Sequence, residues 1–390
     1  MSRSMSGGSR PSAVVILAAG EGTRMRSSLP KVLHTVAGRT MLDHVLAAAR
    51  ELDPAEIVVV VGNRREQLMS HLAEHAPDVR TVIQERQGGT GHAVRTVIEA
   101  GGLDHGTVIV TYGDTPVLRG HTLTALVEAH AAHKAAATAL TAVMENPAGY
   151  GRILRDADGA FAEIVEEADA TPEQRAMTEV NSGIYAFESA LLADSVKRVA
   201  TNNVKGEEYL TDVVGILRAD GYHVATATMP DSDEVRGVND RAQLAEARRI
   251  LNTRLVNAWM HAGVTIVDPF TTSIDADVTL APDVEIGPGT QLEGRTVVEA
   301  GARIGPGCRL RNVAVGRGAS LTHTVCESAV IGPGAVVGPF TYLPPGTNLG
   351  PRARVNGPHW PGDSSAPAGA GARAGGTTTS TTTSKGAQEA

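Results

Sequence analysis

The sequence predicts an α/β domain followed by a short parallel β-helix. Between residues 13 and 240, short runs of β-branched residues alternate with longer segments of helical periodicity, which is typical of a sheet covered by helices. From residue 274 onward, aliphatic residues return every six positions, which is typical of a β-helix. An amphipathic pattern over residues 241–263 predicts one helix that joins the two regions.

The α/β prediction depends on apolar runs that end in glycine or an acidic residue. AVVIL, EIVVVVG and VIVTYGD are predicted strands, and MLDHVLAAARE, REQLMSHLAEH and LTALVEAHAAHKAA have the spacing of helices. Ligands of such sheets bind outside the carboxyl ends of the strands. The polar residues that follow each apolar run are therefore the candidates for a functional site.

The repeat region begins with seven aliphatic residues spaced six apart, from Ile274 to Leu310. After a five-residue step and an irregular stretch, the same spacing resumes between Ile331 and Leu349. Residues 264–355 are therefore expected to stack aliphatic side chains, coil upon coil, into a narrow core.

Charge and cysteine content limit the classes of protein. The 390 residues carry a formal net charge of −8 without a long basic run, so we expect no nucleic-acid polymer as a partner. No stretch is long enough to span a membrane. Cys308 and Cys326 give neither a disulfide framework nor a metal cluster, and their spacing of eighteen residues, one three-sided coil, would stack them as free thiols. We therefore expect a cytoplasmic protein.

Both ends of the chain have compositions that disfavour a packed core. Residues 1–12 are mostly small and polar, and residues 356–390 are rich in Gly, Ala, Ser and Thr. Such segments bury too little apolar surface to offset the entropy lost on ordering. We expect a flexible N terminus and a disordered tail.

The segment LAAGEGTRMRSSLPK, residues 17–31, has the character of a phosphate-binding turn. Its glycines allow the backbone to approach a ligand, and N–H groups at a helix start point at an anion. Neither the P-loop nor the dinucleotide fingerprint fits, because Lys31 has no glycine before it and Met25 occupies the place of the third glycine. Arg24 and Lys31 favour a polyphosphate ligand over a merely structural turn.

A second loop, QERQGGTGHA, places Gln84, three glycines and Thr90 before a predicted helix. A glutamine side chain offers both a donor and an acceptor, which suits the edge of a pyrimidine. The alternative is a solvated loop in which Thr90 caps the helix.

The run TVIVTYGDTPVL ends in Asp114, beside the predicted phosphate-binding turn. A carboxylate there is well placed to hold Mg²⁺, which takes few carboxylates together with phosphate oxygens, and Asn239 in EVRGVNDRAQL would supply a second oxygen. The alternatives are that Asp114 starts a turn with Pro116 and that Asn239 caps the helix that follows.

Three further polar residues lie in or beside apolar strand patterns. They are Gly151 in GYGRI, Glu166 in EIVEEADAT and Asn181 in EVNSGIYAF. A carboxylate and a carboxamide together could bind the hydroxyl groups of a sugar.

Several motifs in this order resemble those of one bacterial family. They are LAAGEGTRMRSSLPKVLH, QGGTGHA, YGDTP, GYGRI, IVEEADAT, EVNSGIY, GEEYLTD and RGVNDRAQL, followed by hexapeptide repeats. The family is that of the bifunctional N-acetylglucosamine-1-phosphate uridyltransferase and glucosamine-1-phosphate N-acetyltransferase. The resemblance, from about Ala13 to Leu349, implies a Rossmann-like nucleotidyltransferase domain over residues 13–240, a linker helix over 241–263 and a left-handed β-helix that forms homotrimers.

The resemblance also implies roles for the residues that match these motifs. UTP would be contacted by Leu17, Ala18, Ala19, Gly20, Gln84, Gly89 and Thr90. N-acetylglucosamine 1-phosphate would be held by Tyr112, Gly113, Gly151, Glu166, Asn181 and Asn239. Arg24 and Lys31 would act on the triphosphate, and Asp114 with Asn239 would bind Mg²⁺.

The implied reaction joins two anions, so positioning and charge neutralisation are its main requirements. Two features depart from the family. The hexapeptide repeat ends near Leu349, before the later coils on which the family builds its acetyl-transfer site, and the family's LRPG reads LPPG here, so that Pro344 replaces an arginine that helps to bind the acetyl-transfer substrate. We therefore expect uridylyl transfer without acetyl transfer from a β-helix domain that is truncated. The alternatives are a nucleotidyltransferase for another sugar 1-phosphate and a non-catalytic trimeric scaffold or sensor.

Overall fold

The structure, a computed structural model, describes residues 10–62, 65–103 and 105–357. The tail predicted for residues 356–390 lies outside these ranges from residue 358 onward, and the N terminus predicted for residues 1–12 lies outside them up to residue 9. Within the described ranges, no helix is long and apolar enough to cross a membrane.

The strands of the first region are β1 (Ala13–Leu17), β2 (Thr35–Val36), β3 (Arg39–Thr40), β4 (Glu56–Val61), β5 (Arg80–Ile83), β6 (Thr107–Tyr112), β7 (Ala137–Val143), β8 (Gly151–Arg155), β9 (Phe161–Val165), β10 (Glu179–Glu188) and β11 (Val224–Thr228). The α-helices are α1 (Met41–Arg50), α2 (Arg65–His75), α3 (Thr90–Glu99), α4 (Gly120–His133), α5 (Pro172–Arg175), α6 (Ser189–Ser195), α7 (Leu210–Ala219) and α8 (Arg241–His261). Single 3₁₀ turns occur at Thr23–Met25, Lys31–Leu33, Val196–Arg198 and Ser232–Val235.

Nine of these strands build one mixed sheet in the order β11, β7, β10, β6, β1, β4, β5, and β8 and β9 extend it from β10, whereas β2 and β3 form a separate antiparallel hairpin. The central strand β1 pairs in parallel with β4 and β6, whereas β10 runs antiparallel to β6 and β7. Val14 and Ile16 face one apolar core and Val15 and Leu17 face another. The sheet is therefore covered on both faces, as the alternating strands and helices predict.

The strands after residue 263 are β12 (Thr265–Ile266), β13 (Ser273–Ile274), β14 (Thr279–Leu280), β15 (Glu285–Ile286), β16 (Gln291–Glu293), β17 (Val297–Val298), β18 (Arg303–Ile304), β19 (Arg309–Arg311), β20 (Ala314–Val315), β21 (Ser320–Leu321), β22 (Thr324–Glu327), β23 (Val330–Ile331), β24 (Val336–Val337), β25 (Thr341–Leu343), β26 (Asn348–Leu349) and β27 (Arg354–Val355). They form three parallel ladders, each joining every third strand. These stacked coils confirm the predicted β-helix.

The irregular stretch of the repeat is a shortened coil. Cys326 occupies an inward position of the ladder and pairs with Leu310 and Leu343. It does not pair with Cys308, because the coil from Leu310 to Cys326 spans sixteen residues (326 − 310) instead of eighteen. The expected stacking of the two cysteines is therefore wrong in register, although both are buried free thiols.

Helix α8 packs into both regions. Leu244, Ala247 and Ile250 lie in a core cluster with residues of the first region. Val256 belongs to the core of the β-helix, and Trp259 packs against it. One helix thus shares its apolar surface between two cores, while the division of the chain at residues 240 and 263 stays a prediction.

The β2–β3 hairpin also contacts the first coil of the β-helix. The backbone of Ala276 donates to Ala37 O at 2.9 Å, and the Arg39 guanidinium pairs with Asp277. The hairpin begins directly after Lys31–Leu33 and His34. The β-helix therefore contacts the first region close to Lys31, a predicted phosphate-binding residue.

Candidate active site

Two adjoining cavities open beyond the carboxyl ends of β1 and β6. The loop cavity, of about 490 Å³, is lined by residues of the turn after β1 and of the loop after β5. The strand cavity, of about 270 Å³, is lined by residues of β8 and β10 and of the segment after β9. Both cavities are lined by Arg24, Tyr112, Asp114 and Asn239. These four residues are therefore the junction at which ligands of the two cavities would meet.

The turn after β1 places its residues on the wall of the loop cavity. Leu17, Ala18, Ala19 and Gly20 line it. Gly22 has φ +61°, and a Cβ there would lie 2.6 Å from Lys31 Cβ. Any larger residue in place of Gly22, the second glycine of the turn, would therefore clash with the side chain of Lys31. A Cβ at Gly20 would meet no atom within 4 Å.

Asp114, at the junction, is paired with Lys31, which lines the loop cavity. Lys31 Nζ donates to Asp114 Oδ2 and, at 3.2 Å, to Asn239 Oδ1. Both lysine and aspartate side chains are largely buried, with 13% and 18% of their surface exposed. Arg24 is exposed beside them. A cluster of this kind can exchange internal partners for phosphate oxygens without leaving a buried charge unpaired.

The oxygens of Asp114 and Asn239 converge on one cationic atom, Lys31 Nζ. Two oxygen donors that face one cation fit a hard divalent metal, which completes its shell with phosphate oxygens and water. Among the described residues, no group of three or more His, Cys, Asp or Glu side chains could hold a metal. A metal at Asp114 and Asn239 would therefore take further ligands from the substrates.

The helix-cap alternative for Asn239 is wrong, whereas Asp114 does lie in a turn, at residues 113–114. Asp240, rather than Asn239, caps α8, because its Oδ1 accepts from Gln243 N at 2.9 Å. The main-chain oxygen of Asp114 accepts from Val238 N at 2.9 Å. That bond brings the segment before α8 to the end of β6 and leaves both side chains facing the cavities.

The loop after β5 is held in place by the segment before α7. Gly91 N donates to Glu208 O at 2.8 Å, and Glu208 N donates to Gly88 O at 2.7 Å. Leu210 N donates to Thr90 Oγ1 at 3.0 Å. Gly89 has φ +101°, and a Cβ there would lie 2.5 Å from Glu208 O, so only glycine fits this contact.

Gln84 is buried at the base of this loop, and its amide is already bonded. Its Nε2 donates to Gly89 O at 3.1 Å and lies 2.8 Å from His92 Nδ1. The sequence predicted a side chain that offers a ligand both a donor and an acceptor. The structure corrects this, because the donors are used within the protein.

The strand cavity contains a partly buried carboxylate. Glu166 lines it, and Thr211 Oγ1 donates to Glu166 Oε1 at 3.2 Å. Burial raises the pKa of this carboxyl group, although the Thr211 bond and the charge of Lys205 act in the opposite direction. A carboxylate held this way is a strong acceptor for a ligand hydroxyl or N–H group.

Asn181 lies in a bulge of β10, where the pairing with β7 shifts between Asn181 and Tyr185. Its Nδ2 donates to Tyr185 Oη at 2.6 Å, and its Oδ1 accepts from Gly183 N at 3.1 Å. Gly183 has φ +77°, and a Cβ there would lie 2.3 Å from the ring of Tyr112. The bulge thus fixes Asn181 and makes room for Tyr112.

Two predicted glycines differ in their positions. Gly151 lines the strand cavity. Gly113 does not reach it: the residue is buried, its N–H donates to Leu17 O at 3.0 Å, and a Cβ would meet Leu42 and Val32 at 3.3 Å. Its expected sugar contact therefore has no support from the lining of this cavity and stays a prediction.

The site also contains residues that the sequence analysis did not single out. Gln87 lines the loop cavity and its Nε2 donates to Ala19 O at 2.9 Å. Lys205 lines the same cavity, and Tyr150 and Gln243 line the strand cavity. Gln87, Tyr150 and Gln243 lie within motifs quoted above and Lys205 directly precedes one, which is the signal that could have indicated them.

Comparisons with known proteins agree with this architecture. Residues 14–178 match the model of the MobA-like NTP transferase domain. The chain is 56% identical over 329 residues to the bifunctional protein GlmU of Thermobifida fusca, an alignment that covers 83% of this chain and 68% of the relative. It is 56% identical over 325 residues to that of Streptomyces avermitilis, with 83% and 67% covered, and 48% identical over 340 residues to that of Corynebacterium efficiens, with 84% and 70% covered.

Proposed function

This chain belongs to the family of the bifunctional protein GlmU, and we propose that its two joined cavities transfer a uridylyl group from UTP to N-acetylglucosamine 1-phosphate. The chain is a UDP-N-acetylglucosamine pyrophosphorylase, a nucleotidyltransferase that releases pyrophosphate. The observation that supports the assignment of the cavities is their junction, where Arg24, Tyr112, Asp114 and Asn239 line both.

We assign UTP to the loop cavity. Leu17 to Gly20 would contact the nucleoside, and Gln84, Gly89 and Thr90 would read the uracil. This assignment is supported by the bonds that hold the loop after β5 against Glu208 and Leu210, because a fixed loop reads a base with less loss of entropy on binding.

We assign the sugar phosphate to the strand cavity. Glu166 and Asn181 would bind its hydroxyl and acetamido groups, with Tyr112, Gly151 and Asn239 completing the wall. Support comes from the fixed orientation of Asn181 and from the Thr211 bond to Glu166.

In the transfer, an oxygen of the sugar phosphate attacks the α-phosphorus of UTP. A P–O bond forms there, the bond to the bridging α–β oxygen breaks, and pyrophosphate leaves with that electron pair. The attacking phosphate is already ionised at neutral pH, so no side chain has to remove a proton. Arg24 and Lys31 would bring the anions together and stabilise the charge on the leaving group.

We propose Mg²⁺ as the divalent metal, held by Asp114 and Asn239. When bound, it would neutralise phosphate charge. Asp114 and Asn239 would orient their oxygens toward it, and Lys31, which bonds to both, would be available to phosphate oxygens instead.

The test of this function is pyrophosphate release from UTP and N-acetylglucosamine 1-phosphate, with glucose 1-phosphate and dTTP as competing substrates. Fast release with the first pair, abolished by EDTA and restored by Mg²⁺, is the expected result. Release that is faster with glucose 1-phosphate or dTTP would change the substrate assignment. Metal-dependent binding of UTP without any turnover would favour the scaffold or sensor.

We also propose a homotrimer in the cytoplasm, assembled through the β-helix. Val297, Val325 and Val330 are large apolar side chains that remain 44–48% exposed on strands of the β-helix, and such positions favour burial between subunits. Light scattering should give three times the mass of the chain at micromolar concentration. A monomer would exclude the assembly.

The absence of acetyl transfer stays a prediction. Its basis is Pro344, which replaces the arginine of the family and whose carbonyl accepts from Thr347 N at 3.2 Å in a turn. Acetylation of glucosamine 1-phosphate by the purified chain with acetyl-coenzyme A would contradict it.

A further inference from the structure

The amide group of Gln84 is held at two points inside the protein. The side chain is 4% exposed, and Nε2 lies 3.1 Å from Gly89 O and 2.8 Å from His92 Nδ1. A carbonyl oxygen only accepts hydrogen bonds, so Gly89 fixes Nε2, rather than Oε1, on this side of the amide. Gly89 O therefore fixes one of the two hydrogens of Nε2, and the orientation of the amide also depends on the partner of the other.

His92 Nδ1 must be the acceptor of the second bond. An amide nitrogen only donates, so Nδ1 carries no proton and the proton of the neutral ring lies on Nε2. Burial lowers the pKa of His92, which favours the neutral ring. Gly88 provides the space for the imidazole, because a Cβ there would lie 2.8 Å from His92 Cγ.

With both hydrogens of Nε2 used internally, Gln84 offers only its carbonyl oxygen to the loop cavity that it lines. Uracil presents an N–H donor at N3, which matches this acceptor. Cytosine has a bare nitrogen at N3, and an acceptor that faces an acceptor leaves both groups unpaired. Thymine shares the N3 donor, so this contact separates uracil from cytosine and not from thymine.

We propose that His92 is a specificity-determining positioning residue: it occupies the second donor of Gln84 and so makes the site accept a pyrimidine with an N3 proton and reject cytosine. The inference rests on the proposed function, because the base must face Gln84. Nothing in the reaction itself requires this histidine, which is not at the junction of the cavities.

The experiment compares kcat/KM for UTP and CTP in the wild type, His92→Leu and His92→Asn. Leucine fills the space of the imidazole but offers Gln84 Nε2 no acceptor. Asparagine can offer one, because its Oδ1 would lie close to the position of His92 Nδ1. We expect the UTP to CTP ratio to fall about tenfold or more in His92→Leu and to recover in His92→Asn. The KM for N-acetylglucosamine 1-phosphate should remain unchanged. A histidine needed only for packing would reduce both nucleotides equally and leave the ratio unchanged, which would overturn the proposal.

A second measurement observes the position of the proton in the wild type directly. Nitrogen NMR of the ¹⁵N-histidine-labelled wild type, with the His92 signals identified by their loss in His92→Asn, should show an unprotonated Nδ1 at neutral pH. A protonated Nδ1 would overturn the proposal. If no nucleotide is turned over by the wild type, the proposed function fails. If UTP is used and His92→Leu keeps the full ratio, only the role of His92 fails.

Discussion

The parts of the site that we propose to read the base and to bind phosphate are built in different ways. Gln84 is neutral, and its donors are bonded to Gly89 and His92 before any ligand is present. Lys31 and Asp114 are charged and are bonded to each other. The first group keeps its partners when the ligand binds, whereas the second has to exchange them.

The difference follows from the cost of burial. A neutral amide with satisfied donors is stable in a buried position, so its remaining acceptor can be fixed in advance. A buried charge without a partner is energetically unfavourable. The residues proposed to bind phosphate therefore pair with one another in the absence of the anionic substrates. Specificity is therefore built into the folded chain, while charge stabilisation is completed by the substrates.

The strongest test of this comparison is Asp114→Ala. The substitution removes the proposed metal ligand and leaves Lys31 without its carboxylate, so kcat should fall about 10³-fold or more. Pyrophosphate release measures the effect. Asp158→Ala, in an exposed turn, is the control and should match the wild type. Near-wild-type turnover in Asp114→Ala would show that the charge cluster is not the reacting centre.

Arg24→Ala should have the next largest effect. Loss of one charge-stabilising group lowers kcat about 10²-fold, with a smaller change in the KM for UTP. Arg26→Ala is the matched control, since Arg26 is exposed in the same turn and lines a separate cavity beside Gly20 and Lys31, but neither the loop cavity nor the strand cavity. Equal losses in the two variants would mean that only the net charge of the turn matters.

Tyr185→Phe tests positioning on the neutral side of the site. Without the hydroxyl group, Asn181 Nδ2 loses the bond that fixes it, and the KM for the sugar phosphate should rise about fivefold. The KM for UTP should stay constant, and Tyr222→Phe, at an exposed tyrosine, should leave both constants unchanged. A rise in both KM values would indicate a general loss of structure.

The smallest effect is one on stability. Because burial raises the pKa of Glu166, its charged form destabilises the free enzyme above that pKa, and Glu166→Gln should raise Tm by about 2 °C at pH 7.5. The wild type regains this stability as the pH falls through the raised pKa, so the advantage of the variant should shrink there. Calorimetry over this pH range measures it. Glu163→Gln, at an exposed position of β9, is the control, and a lower Tm for Glu166→Gln would contradict the prediction.

The sequence predicts the fold well because both regions have periodic patterns. The runs of β1, β4 and β6 and the spacing from Ile274 to Leu310 each reflect a repeated burial of side chains. The inward position of Cys326 could not be predicted in this way, because its coil is two residues shorter and breaks the six-residue period. Spacing alone could not show which thiol enters the ladder.

The site is predicted less completely. Asp114 is indicated by its place after a buried strand, but its bond to Lys31 joins residues 83 positions apart, and Asn239 lies 208 positions from that lysine. Nothing in the sequence states which polar side chains are already bonded to each other. The use of both Gln84 donors is therefore visible only in the structure.

The sharing of α8 between two cores bears on how such proteins can be recombined. A cut at residue 240 would remove Leu244, Ala247 and Ile250 and uncover Met25, which lies one residue from Arg24. A cut at residue 263 would keep the helix but would expose Trp259, which packs against the core of the β-helix. Neither boundary separates two independent modules, so exchange of the β-helix between relatives should succeed only when the helix and its hairpin contacts are inherited together.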